Sequence, residues 1–177
     1  MFFKIRHFLP INMLICLYNS LFSPFLQYGI LVWGLTHDTY INPVFLLQKR
    51  VVRAISFENF TSHSTPIFLN LKILKLHDLF QLKLLTFVYD CINKIAPSYF
   101  HSFFALVETV HQYGTRQASK NDIFITQKNT LQYALRSVRY FGAKCWNNIL
   151  VVIKSSPSAC SFRQKLKSFF FENHYQS

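Results

Sequence analysis

Seven carboxylates stand in this 177-residue chain: Asp38, Glu58, Asp78, Asp90, Glu108, Asp122 and Glu172. Two-metal phosphoryl chemistry needs such groups clustered around a pair of divalent ions. None is adjacent to another. Asp78 and Asp90 fall on one expected helix, but their separation is about 18 Å at 1.5 Å per residue, too far for one metal centre. Each acid therefore reads as a surface residue. The histidines are His7, His37, His63, His77, His101, His111 and His174. They form no H-E-x-x-H pattern and no close group with the cysteines, so no zinc site is expected. Cys160 with His174 is the nearest approach to a nucleophile and base, and an inert thiol is the expectation. A glycine-rich phosphate loop and a G-x-S-x-G elbow are both missing from the sequence. No catalytic residue, metal, cofactor or small-molecule substrate is expected.

The cations are the other chemistry in the chain. Lys and Arg number 19 against 7 acids, a formal charge of +12. Such a balance draws polyanions by counterion release, although many basic domains bind none. The candidate nucleic-acid contacts are Lys49, Arg50, Arg53, Arg136, Arg139, Arg163 and Lys167. Lys49, Arg50 and Arg53 fall opposite an apolar arc of Val44, Leu47, Val51 and Ile55 on an expected helix. Both a solvated face and a phosphate-contacting ridge fit that pattern. Arg163 and Lys167 share a face of a C-terminal helix that turns Phe162, Leu166 and Phe169 the other way.

Helices must position these groups. Half the chain is hydrophobic (51%), with 20 Phe and 9 Tyr, and glycine is scarce at 4 residues. That excludes disorder and disfavours an all-β fold rich in tight turns. Pro10 opens a first helix, Ser23-Pro24 breaks or kinks it, and a second helix runs from Pro24 to Trp33 with Gly29 inside. This near-uniformly apolar hairpin should be buried, and core packing is the expectation for Tyr28 and Trp33 over base stacking. Asn42-Pro43 reads as N-cap and first helical residue of a helix reaching about Phe57, and Thr65-Pro66 repeats the signal. Leu76 to Ile95 is the longest candidate, apolar over half its circumference and ended by Pro97. A short helix is expected over 98–107. Residues 108–130 turn polar and read as a loop or boundary. Ile123–Thr126 and Arg136–Phe141 read as short strands. A helix over 142–153, with Trp146 inward, and another over 161–171 close the chain.

Four phrases carry a resemblance: LYNSLFSPFLQYGILVWG (17–34), LLQKRVVRAI (46–55), LNLKILKLHDL (69–79) and YFGAKCWNNI (140–149). In this order and at these distances the chain resembles the tail of a reverse transcriptase of a non-LTR (LINE-type) retrotransposon, downstream of the polymerase active site. The resemblance implies a mainly α fold. A helical thumb-like bundle over residues 1–107 precedes a small, partly irregular segment over 108–177 with one or two short strands. It further implies a fragment of an RNA-directed DNA polymerase without catalysis, whose palm and fingers lie elsewhere. Its partner would be the backbone of an RNA/DNA duplex. The family's catalytic motifs have no counterpart here.

Two rival expectations stand beside this one. One is a structural remnant that binds nothing. The other is a membrane-surface protein using basic amphipathic helices. Apolar runs fall short of a membrane span, so no membrane partner is expected. The four cysteines lack C-x-x-C spacing and no signal-peptide cleavage site follows the N-terminal apolar run, so an intracellular site is expected.

Overall fold

The computed structural model describes residues 2–110, 120–125 and 135–173. The protein is mainly α, and among the described residues extended pairing is limited to one isolated antiparallel bridge, Leu106 with Ile123. The chain forms two compact units, Met1–Phe80 with Phe170–Ser177, and Gln81–Phe169. The division falls inside a helix.

The first unit opens with α1 (Phe2–Ile5) and α2 (Ile11–Leu17), for which Pro10 is the N-cap. A π-helical turn (Tyr18–Phe22) then feeds α3 (Ser23–Gln27), so Pro24 lies in the first turn of α3 and breaks nothing. The break comes later. Gly29 adopts φ +58°, a left-handed conformation in which a Cβ is strained, and starts α4 (Ile30–Trp33). The expected helix through Gly29 is therefore two. The expected burial of this segment also fails. Phe25, Tyr28 and Val32 are each more than four-fifths exposed. Tyr28 is no core residue, and Trp33 is half-buried with its indole N–H donating to the Tyr28 carbonyl at 2.8 Å.

The helix α5 (Asp38–Ile55) begins a turn before Asn42-Pro43, with His37 as N-cap and Pro43 inside. Asp38 sits in its first turn, where a carboxylate faces the positive end of the helix dipole. Its buried residues are Ile41, Gln48, Val52, Ala54 and Ile55, while Leu47 is half exposed. The expected arc through Val44, Leu47 and Val51 is thus rotated, because Gln48 occupies the inward position. The helices α6 (Ser64–Asn70) and α7 (Leu76–Ile92) follow. Leu14, Tyr18, Val52, Ile55, Ile67, Phe68 and Ile73 pack into one core of this unit.

Three of these helices end alike. The amide pairs Phe57/Glu58, Lys72/Ile73 and Lys94/Ile95 bond back to Ala54/Arg53, Leu69/Phe68 and Cys91/Asp90. Phe57, Lys72 and Lys94 hold φ of 58°, 53° and 57°. These are Schellman closures in which non-glycine residues take the left-handed position usually given to glycine. Lys94, not Pro97, therefore ends α7.

The second unit contains most of α7, a 3-10 turn (Ser98–Phe100), α8 (Val107–Val110), α9 (Val138–Asn148), α10 (Val151–Lys154) and most of α11 (Ala159–Asn173). Arg136–Phe141 is not a strand. Ser137 caps α9, its hydroxyl accepting from the Tyr140 amide at 3.2 Å. Ile123 contributes one bridge and no ladder, and Thr126 and most of the expected polar loop lie outside the described residues. Gly142 lies within α9, where an added Cβ would stand 3.1 Å from Val88 and 3.3 Å from the Phe104 ring. Tyr89 stacks on Phe162 at 4.6 Å between ring centres, and Phe162 stacks on Trp146 at 5.8 Å. Trp146 is inward as expected. On α11 the buried residues are Phe162, Leu166 and Phe170, with Phe169 only half-buried.

Candidate nucleic-acid interface

Gln48 decides what α5 can present. It is fully buried, and its amide donates to the Tyr18 hydroxyl at 3.0 Å and the Leu74 carbonyl at 2.9 Å. Its carbonyl accepts from the Leu76 amide at 2.9 Å. That amide is one of the unpaired donors at the start of α7, so a side chain from α5 caps another helix. Fixing Gln48 inward turns Arg50 and Arg53 toward the far side of α5 and leaves Lys49 on its flank.

The three candidates on α5 have separate surroundings. Arg50 is exposed. Lys49 is half-buried, its ammonium 4.3 Å from the centre of the Phe45 ring. Arg53 is half-buried, and its Nε donates to the Ser62 carbonyl at 2.8 Å, tying down the turn before α6. Ser62 in turn donates its hydroxyl to Glu58 at 2.9 Å. Lys49 and Arg53 face an open cleft of about 400 Å³ in the first unit. Lys75, His63, His77, Asp78, Thr61 and Thr65 also line it. Arg50 does not line the cleft. Lys49 and Arg53 are among the candidates that the sequence offers, whereas Lys75, His63 and His77 are not. Their convergence depends on the turn between α5 and α6, which no periodicity reports.

The remaining candidates lie in the second unit. Arg136 is exposed. Arg139 is exposed, with its Nε donating to the Phe103 carbonyl at 2.9 Å. Arg163 approaches Asp90 at 3.9 Å, a long ion pair, beside a cleft that Lys83 and Thr86 also line. Lys167 is exposed on α11. Burial raises the Asp90 carboxyl above its ordinary value and Arg163 partly offsets this; its Oδ1 is buried without a hydrogen bond.

The acids are not all surface groups. Asp122 is buried and paired with buried Lys154 at 2.6 Å, and Lys154 also donates to the Lys120 carbonyl at 3.2 Å. The same short segment is held by the Trp146 indole donating to the Asn121 carbonyl at 2.9 Å. Asn147 pairs with both backbone groups of Ile123. The Trp146-Asn147 pair in the GAKCWN phrase is thus a clamp on residues 121–123. Among the described residues no three His, Cys, Asp or Glu side chains gather as a metal site would need. No described helix is long and apolar enough to cross a membrane. Cys91 and Cys145 are pushed up to about 11, chiefly by burial, while Cys16 and Cys160 are exposed. His174 lies outside the described residues.

Comparison with protein-family models, with curated proteins and with solved structures finds no match for this chain.

Proposed function

We propose that the protein is a non-catalytic, helical nucleic-acid-binding fragment, derived from the thumb and post-thumb region of a non-LTR retrotransposon reverse transcriptase. It grips the sugar-phosphate backbone of an RNA/DNA duplex and leaves polymerase chemistry to a palm and fingers outside this sequence. The observation that carries the reading is the basic side of α5, where Arg50 stands in solvent and Lys49 and Arg53 face a cleft with Lys75. Lys and Arg contacts of this kind give affinity without sequence preference. The four sequence phrases supply the family, and the mainly α fold agrees with it. Fluorescence anisotropy with a labelled RNA–DNA hybrid at low salt tests the reading. Binding is expected, weakened several-fold by Lys49→Gln with Arg50→Gln. A hybrid that stays unbound at low salt would overturn it.

A specific observation favours a second reading, a structural remnant that binds no nucleic acid. The candidate cations are scattered, and Arg53 and Arg139 each spend a hydrogen bond on the protein's own backbone. Folded, monomeric protein with no affinity for polyanions would support that reading.

A further inference from the structure

The first-unit cleft has a shape and charge that a backbone-tracking ridge does not need. It is concave, and its cations come from separate stretches of chain: Lys49 and Arg53 from α5 and Lys75 from the residue just before α7. Lys75 and Asp78 cancel formally, which leaves Lys49 and Arg53 as a net +2 on the cleft wall. Their geometry is set in advance. The Phe45 ring lies beneath the Lys49 ammonium, and the Ser62 carbonyl holds the Arg53 guanidinium by Nε, so that bond does not use its two Nη groups. Lys49 Nζ has no hydrogen bond or ion pair among the described residues. Two cations on one cleft wall, with Thr61 and Thr65 also lining it, suit an oxyanion. A phosphate monoester carries about −1.5 to −2 at neutral pH, and a backbone diester carries one charge. The charge of the cleft fits the monoester.

We propose that this cleft binds the terminal phosphate monoester of a nucleic-acid strand, held by Lys49 and Arg53. The proposal rests on the nucleic-acid reading for the nature of the ligand, and it adds recognition of a strand end. Anisotropy at low salt with one short oligonucleotide, bearing either a 5′-phosphate or a 5′-hydroxyl, provides the test. Two charge-assisted contacts predict about tenfold or greater preference for the phosphorylated strand, which corresponds to about 1.4 kcal/mol. Lys49→Gln should cut a tenfold preference to about threefold, since one of the two cations is gone. Arg53→Lys should reduce it too, because the forked donor is lost while the charge remains. Lys144→Gln, an exposed change on α9 in the second unit that does not line the cleft, should leave the preference intact. Circular dichroism of each variant reports retention of the helices.

Equal binding of the two oligonucleotides by the parent protein overturns the strand-end site while the nucleic-acid reading stands. A preference that Lys49→Gln leaves undiminished in folded protein overturns the assignment to this cleft. Absence of binding to either oligonucleotide at low salt overturns both readings.

Discussion

Replacing Gln48 with Leu should cost the protein a large part of its stability, although the new side chain is close in size and apolar. The amide makes three hydrogen bonds at 2.9 to 3.0 Å from a position with no solvent exposure. Each such bond contributes about 1 kcal/mol net, and each buried partner left unpaired costs about 1–3 kcal/mol. Two of the partners are backbone groups, the Leu74 carbonyl and the Leu76 amide, of residues that are themselves buried. Leu returns part of the loss through its extra apolar surface, so a net destabilisation of about 3 kcal/mol is expected. That is a substantial share of the roughly 5–15 kcal/mol of a typical domain. Urea unfolding followed by far-ultraviolet circular dichroism gives the number. Tyr18→Phe, which removes one of the three bonds, should cost about 1 kcal/mol. In the double variant the two losses should be less than additive, because they share that bond. A Gln48→Leu protein within about 0.5 kcal/mol of the parent, the range of an ordinary surface change, would refute this account of α5.

Three further outcomes follow from the same structure. Burial raises the Tyr18 phenol above its ordinary value of 10.0, against a smaller opposing effect of the Gln48 hydrogen bond. Its contribution to stability is therefore fully present below pH 10 and is lost as pH rises through the higher folded value, and Tyr18→Phe should flatten that alkaline decline in unfolding free energy. Lys94→Gly should stabilise the protein by about 0.5–1 kcal/mol, because it relieves a left-handed residue at an exposed helix end, and thermal unfolding checks the sign. At pH 8 a thiol reagent should label Cys16 and Cys160 quickly and leave Cys91 and Cys145 unmodified in native protein, read by mass spectrometry after digestion.

The helices were legible wherever apolar periodicity was long. The spans of α5, α7 and α11 follow from repeats of three and four residues, as does the inward Trp146. Their ends were less so. Asn42-Pro43 carries a start signal, yet α5 begins at Asp38, since one proline near the first turn costs only one helical hydrogen bond. The closures at Phe57, Lys72 and Lys94 use no glycine and leave no mark in the sequence. Residues 136–141 combine Val and Tyr in a way that suits a strand, and the Ser137 cap decides for helix. The exposed Phe25, Tyr28 and Val32 show the limit of composition, which reports that residues are apolar and not whether anything covers them. Of the candidate cations, sequence located those on α5 but missed the tie of Arg53 to Ser62. It also missed Gln48, whose polar side chain marks the face that is buried.

The central claim is that Lys and Arg side chains here neutralise phosphates, and the salt dependence of duplex binding addresses it most directly. Affinity for an RNA–DNA hybrid should fall linearly on a log–log plot against salt, and removing the charges of Lys49 and Arg50 should make the slope shallower by about one to two. An affinity indifferent to salt, or a slope unchanged in that variant, would contradict the account.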